Sequence, residues 1–302
     1  MSFNVENITV KYNFGATAIQ NLSFSARKGE IFCIFGKSES GKTSLLKGLS
    51  GLAPIKDGKI TLDGENYSEK SIFEKNVFLM HEDLGFFENK TLAYNLEYPL
   101  KIRRDPSAEI KTKEIAEKYG LSDLLNIKAK KLNKTDRVKA AFARCENRNA
   151  DVFLFDNPFV SLENRAELFA RFLPFLQEKS KTAVVIYATD SIDEIKKING
   201  EVLILNFGIK HQAGTPKAIG ENPSSVFVYK TFFPNATEFN TVVNENISID
   251  LEGKEYFLDK NELLNEIFIG GKIIICMVGD DPTTARIYDE ASEKLIYFSK
   301  IV

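Results

Sequence analysis

Histidine and cysteine are too few and too scattered in this chain to build a metal centre of their own. The 302 residues hold two histidines, His81 and His211, and three cysteines, Cys33, Cys145 and Cys276, with no spacing that matches a zinc site or a disulfide framework. Cys33 and Cys276 lie inside apolar runs and read as small buried hydrophobes. Long apolar runs are also lacking. Stretches such as 152–155 and 183–188 fall far short of the ~18–20 residues that a membrane-spanning helix needs. Residues 1–6 have neither the basic start nor the apolar core of a secretory leader, so the expected location is the cytoplasm, with docking on a membrane protein left open. A dominant charge is missing too: the net charge of -2 gives no reason to expect a nucleic-acid partner.

Hydrophobic residues make up 43% of the chain and charged residues 27%, a composition that supports a packed core. The length suggests about two domains. Phe3, Val5, Ile8, Val10 and Tyr12 alternate with polar residues and predict a half-buried strand, with another near 18–26. Residues 31–35 are continuously apolar, as are 152–155 and 183–188, the pattern of strands buried on both faces. Helices are expected over 44–52, 164–179 and 192–198, and through most of 92–148. Strands separated by helices imply a mainly parallel sheet with crossovers. Residues 101–150 carry 14 basic and 7 acidic side chains, a local net of +7. That run reads either as a solvated helical face or as an attractor of phosphates or anionic lipid. After Pro234 the texture changes to short strand-like segments at 247–251, 273–278 and 295–298. Residues 241–302 carry 12 acidic and 6 basic side chains, a local net of -6, and predict a small antiparallel β domain.

The most specific local signal is Gly36-Lys37-Ser38-Glu39-Ser40-Gly41-Lys42-Thr43, which fits G-x-x-x-x-G-K-[ST]. Glycines let the backbone turn so that successive N–H groups converge on an anion. Lys42 is placed to reach the β and γ phosphates, the Thr43 hydroxyl to ligate Mg²⁺, and the helix that begins here, with Ser44 in its first turn, to present its positive end. The motif follows a buried strand and opens a helix, which is the context it needs. Asp156, at the end of the strand 152–155, is the second expected Mg²⁺ partner.

At these residues the sequence resembles the ATP-binding subunits of ABC transporters, over nearly the whole chain. Residues 53–64 are similar to the family's segment after the phosphate loop, 131–144 to its signature helix region, Phe155-Asp156-Asn157-Pro158 to its second nucleotide motif, and Val160-Ser161-Leu162-Glu163 to its dimer-contact loop. Gln212-Ala213-Gly214-Thr215-Pro216 resembles the end of the domain in bacterial importers, and 286–295 the last hairpin of a TOBE-type domain in sugar importers. The resemblance implies an α/β P-loop NTPase of ABC type over 1–234, with a helical subdomain at about 85–148, and a TOBE-like antiparallel β domain over 235–302. It implies ATP and Mg²⁺ as ligands, with Tyr12 stacking on adenine. Its partners would be a second ATPase subunit in a dimer and transmembrane permease subunits, at the inner face of the cell membrane. Tyr12, residues 36–44 and Asp156 form the expected nucleotide set; Thr43, Glu82 and Asp156 form the expected metal set.

Against that pattern, the catalytic parts are replaced. The family's general-base Glu is Asn157, and an amide cannot take a proton from water. Its loop Gln aligns with Glu82, with His81 as a neighbour one residue away. Its switch His aligns with Asp190, a group expected to repel the γ-phosphate. Its glycine-rich signature becomes Lys131-Leu132-Asn133-Lys134-Thr135-Asp136-Arg137, with Lys134 and Asn133 as conceivable substitute donors, and Glu163 replaces an Asp. The leading expectation is an importer subunit that binds Mg²⁺–ATP with little or no hydrolysis beside a competent partner. The alternatives are a nucleotide-dependent regulatory protein and an ordinary transport ATPase. The aromatics Phe86, Phe87, Tyr94 and Tyr98 are read either as a permease dock or as core.

Overall fold

The computed structural model describes residues 1–12, 15, 17–146, 148–160, 162–244, 248–251, 254–258, 270–278, 285–292 and 294–297. Ser161, Ile247, Glu293 and Phe298, named above, lie outside the described residues. The chain divides into two compact units, 1–200 with 205–209, and 201–204 with 210–302.

The first unit opens with an antiparallel sheet of β1 (Ser2–Lys11), β2 (Thr17–Arg27), β4 (Ile55–Leu62) and β5 (Glu65–Asn66), in the order β2-β1-β4-β5. The inward residues of β1 are Phe3, Val5, Ile8 and Val10. Their spacing breaks strict alternation between 5 and 8 because the pairing with both neighbours shifts there, with Asn7 in the left-handed region at φ 50°. This bulge inserts one residue and resets the phase. Gly58 faces it from β4 with φ 91°, and a Cβ there would sit 2.5 Å from the Asn7 carbonyl oxygen. Strands separated by crossovers were expected to form a mainly parallel sheet. That holds for the central sheet only, and the β1 region is a separate antiparallel layer.

The central parallel sheet sets β3 (Ile31–Phe35), β8 (Val184–Thr189), β7 (Val152–Asp156) and β6 (Val77–Met80) side by side in that order. β3, β7 and β8 are buried along their whole length, as their unbroken apolar runs require. Helix α1 (Lys42–Ser50) follows β3. The helical stretch resolves into α2 (Leu92–Ile102), α3 (Ala108–Tyr119) and α4 (Lys134–Glu146). Phe142 of α4 stacks on Phe172 at 4.0 Å between ring centroids, and on Phe155 and Phe159. Helices α5 (Arg165–Ser180) and α6 (Ile192–Ile198) complete this unit, and β9 (Val202–Asn206) is shared between the two.

In the second unit, β10 (Ile209–Gly214) leads to α7 (Pro216–Glu221) and α8 (Val226–Phe232). The Thr215 hydroxyl caps α7 by accepting the Ala218 N–H, with Pro216 at the first helical position. An antiparallel sheet follows in the order β11 (Ala236–Val242), β14 (Lys272–Val278), β15 (Arg286–Asp289), β16 (Leu295–Tyr297), with β12 (Ser248–Leu251) and β13 (Lys254–Phe257) as a separate hairpin. β14 is apolar on both faces for a visible reason. Ile273, Ile275 and Met277 pack with Ile249, Leu251 and Ile287, whereas Ile274 and Cys276 pack against Val226 and Tyr229 of α8. That second packing is why 210–234, placed ahead of the β domain on sequence grounds, is grouped with it here. All three cysteines are free and buried, and burial raises each thiol's pKa.

Candidate functional site

Parallel register puts the ends of four strands on one edge. Phe35 pairs with Thr189, Asp156 with Ala188, and Met80 with Phe155. The residues that follow these strands are therefore neighbours: the 36–43 loop, Asp190, Asn157, and His81 with Glu82. They surround a cleft of ≈ 510 Å³ whose lining includes residues 38–44, Glu82, Asp156, Asn157, Asp190 and, from outside these segments, Thr17, Ala18 and Phe207. Segments more than a hundred residues apart in sequence meet here, as sequence reasoning expected for the loop and Asp156.

The loop's glycines are required by space. A Cβ on Gly36 would meet Ser40 Oγ at 2.3 Å, and Gly41, at φ 101°, would place one 2.8 Å from the Ala18 carbonyl. Lys42 Nζ folds back on the loop, donating to the Gly36 carbonyl (2.5 Å), the Lys37 carbonyl (2.9 Å) and Ser40 Oγ (3.3 Å). Burial lowers the Lys42 pKa, and Asp190, then Asp156 and Glu82, oppose that. Tyr12 lies just past the end of β1, is 37% exposed, and its hydroxyl reaches Ser44 Oγ at 3.4 Å. It is a surface ring beside the loop and not a core aromatic.

Asp156 is almost fully buried, and its Oδ2 has no hydrogen-bond partner. Burial raises its pKa, held back by the Thr43 hydroxyl, His81 and Lys42. A buried carboxylate oxygen without a donor is costly and is what a divalent cation would satisfy. Among the described residues no cluster of three or more His, Cys, Asp or Glu side chains could hold a metal alone. The fit is therefore to an ion that keeps water or phosphate oxygens as ligands, in the manner of Mg²⁺. Thr43, Asp156 and Glu82 face this one cleft.

The replaced positions are joined by a residue that sequence reasoning missed. Arg165, the first residue of α5, pairs with Asp190 Oδ1 at 2.7 Å and with Glu194 Oε1 at 2.7 Å, and donates to Asn157 Oδ1 (3.2 Å) and Thr189 Oγ1 (2.9 Å). Glu194 is itself buried and accepts from the Tyr187 and Thr189 hydroxyls. Burial acts to raise the Asp190 pKa, but the Arg165 hydrogen bond and charge and the Asn157 amide more than offset it, so the carboxyl sits below its ordinary range. Asp190, expected to repel the γ-phosphate, thus has its charge paired within the same chain. No periodicity or motif marks Arg165. Asn157 itself has φ 45°, an αL position that Asn tolerates well.

The signature-like segment is also closed on itself. Asn133 Oδ1 accepts the Asp136 N–H at 2.8 Å, Asn133 Nδ2 donates to Asp136 Oδ2 at 2.7 Å, and Lys139 pairs with Asp136. The Asn133 side chain is thus engaged at the start of α4 through its oxygen and one of its two N–H groups. Beyond it, Arg137 holds Glu88 through two hydrogen bonds, Arg144 donates to the Leu84 and Gly85 carbonyls, and both guanidiniums lie over the Phe86 ring, at 5.1 and 4.7 Å. Burial pushes the Arg144 pKa down to about 10. Phe86 is core, whereas Phe87 and Tyr98 are exposed and pack edge-on with each other.

Residues 19–160 match the ABC transporter family model. The chain is 31% identical over 225 residues to the sn-glycerol-3-phosphate import ATP-binding protein UgpC 3 of Rhizobium johnstonii, covering 73% of this chain and 64% of that protein. It is 26% identical over 277 residues to the trehalose/maltose import ATP-binding protein MalK of Thermococcus litoralis, covering 88% and 74%. It spans just under two thirds of the length of the UgpC proteins it matches. In fold it is similar to an ATP-binding cassette in a dimeric post-hydrolysis state bound to ADP and Pi, with a TM-score of 0.63 at 20% identity over 70% of this chain and 98% of that one. The strand order, the phosphate loop and these likenesses agree: the chain has an ABC-type P-loop NTPase fold, with the ABC transporter match over residues 19–160 and similarity to sugar and glycerol-phosphate import ATP-binding proteins.

Proposed function

We propose that this chain is the nucleotide-binding subunit of a solute importer, binding Mg²⁺–ATP at residues 36–43 with little or no hydrolysis. The observation that carries this is the contrast within one cleft. The groups suited to holding a nucleotide are in place: Lys42, Thr43, the positive end of α1, and Asp156 with its unpartnered oxygen. The position for a proton acceptor holds Asn157, whose side-chain oxygen is already occupied by Arg165. Lys42 would turn from the Gly36 and Lys37 carbonyls toward phosphate oxygens, exchanging neutral acceptors for charged ones. Loop N–H groups would orient the β-phosphate, and Thr43 and Asp156, with Glu82 alongside, would hold the metal. When bound, Mg²⁺ would neutralise phosphate charge. Position 157 offers no carboxylate and position 190 no imidazole, so the two groups that would handle the attacking water's proton are missing from their places.

The glycerol-phosphate and sugar import proteins to which this chain is similar support the importer role. So does the exposed apolar surface of Phe87, Tyr98 and Ile102, which suits a permease segment and favours this role over a purely regulatory one. In this reading the chain sits at the cytoplasmic face of the membrane and pairs head-to-tail with a second ATPase subunit. The engaged Asn133–Asp136 pair supports a partner site that is slow as well. The test is direct. Titration calorimetry of the purified chain should show Mg²⁺–ATP binding that Lys42→Ala abolishes, with negligible phosphate release. Robust turnover by the isolated chain would overturn the non-catalytic reading, and co-purification without permease subunits the importer role.

A further inference from the structure

Asp190 lines the nucleotide cleft and is the strongest charged neighbour of Lys42. A carboxylate beside the terminal phosphate of a triphosphate opposes its binding, and the same group matters far less to a diphosphate, which ends one phosphate earlier. Arg165 answers that charge. Its guanidinium is fixed from the far side by buried Glu194 and by Thr189, and from the near side grips Asp190 and Asn157. The anchor is rigid, because Glu194 is held in turn by Tyr187 and Thr189 on β8. Arg165 does not itself line the cleft, so it acts through the two residues that do.

We infer that Arg165 is a positioning residue that lets the cleft hold nucleoside triphosphate as well as diphosphate, by neutralising Asp190 and holding it and Asn157 in place. This rests on the nucleotide-binding reading above. It gives the pair at 157 and 190 a defined task, to let a triphosphate be retained beside a carboxylate whose charge is already paired.

The experiment compares Mg²⁺–ATP and Mg²⁺–ADP dissociation constants by calorimetry for the wild-type chain, Arg165→Ala, Arg165→Lys and Arg165→Ala with Asp190→Asn. Arg165→Ala should weaken ATP binding about tenfold or more while ADP changes by less than about threefold, as expected for one uncompensated charge at a partly solvated site. Removing the Asp190 charge in that background should recover most of the loss, which a merely structural role for Arg165 would not produce. Arg165→Lys keeps a cation against Glu194 and should fall between wild type and Arg165→Ala. It also supplies a folded variant if Arg165→Ala unfolds. Equal weakening of ATP and ADP, or no recovery in the double variant, would overturn the inference while leaving nucleotide binding intact. A wild-type chain that binds neither nucleotide would overturn the nucleotide-binding reading, and this inference with it.

Discussion

Restoring a carboxylate at position 157 should not restore hydrolysis. In Asn157→Glu the new side chain would lie against the Arg165 guanidinium, which is now 3.2 Å from Asn157 Oδ1. Opposite charges about 4 Å apart interact by roughly 4 kcal/mol at an effective dielectric constant near 20, or about three pKa units. Two effects reduce this. Arg165 is already shared by Asp190 and Glu194, and its side chain keeps 23% of its exposure. A net depression of about one to two units below the ordinary glutamate value of ~4.3 remains. A positioned general base contributes about 10²–10⁴ in rate, and most when its pKa lies near the working pH. A carboxylate pulled down by Arg165 moves away from that optimum. The expected gain is below about tenfold over wild type, small against a full base contribution. The assay is phosphate release at neutral pH, normalised to bound nucleotide measured in the same sample. Combining Asn157→Glu with Arg165→Gln should raise turnover above Asn157→Glu alone. A hundredfold gain from Asn157→Glu by itself would refute the reasoning and show that the missing base is the whole deficit.

Two further outcomes follow from buried strain and burial. Asp156→Asn should stabilise the metal-free chain at neutral pH by on the order of 1 kcal/mol while abolishing Mg²⁺-dependent nucleotide binding. Because burial raises the Asp156 pKa in the folded state, its protonation favours folding. The destabilisation it brings is therefore absent below the unfolded-state pKa and grows as pH rises through the folded one, so the gain from Asp156→Asn should shrink on acidification in thermal melts; a gain that instead grows at low pH would contradict this. Gly58→Ala should cost about 1–3 kcal/mol in urea unfolding, because its Cβ would meet the Asn7 carbonyl at 2.5 Å with φ at 91°. An unchanged midpoint would mean that the β1 bulge yields.

What could be read in the sequence was whatever depends on a few adjacent residues. The phosphate loop is legible because its glycines, Lys42 and Thr43 do their work within eight positions. The buried strands 31–35 and 152–156 are legible because burial on both faces needs an unbroken apolar run. Strands β6, β9 and β10 and helices α7 and α8 went unread. β10 has one exposed face and few apolar residues, and α7 and α8 are short, at six and seven residues. Arg165 was illegible for a different reason. It stands at the start of a helix, and its meaning depends on register, which sets Ala188 and Asp156 at the same level of the sheet and so brings positions 157 and 190 within reach of one side chain. In the sequence, positions 157 and 190 are legible only singly, as departures from the family's pattern. That they are bonded to a common partner is a property of the fold.

The fastening of residues 84–88 to α4 has a mechanical consequence. Arg144 holds two successive carbonyls, Phe86 packs against two guanidiniums, and Glu88 is held by Arg137. Four of five consecutive residues are thus bolted to one helix, leaving little slack in the chain between α4 and Glu82, two positions away. A load that tilts α4 from outside is delivered as displacement of the Glu82 carboxylate in the cleft, and a load on Glu82 is returned to the helix. The linkage is built to carry force between that helix and the cleft.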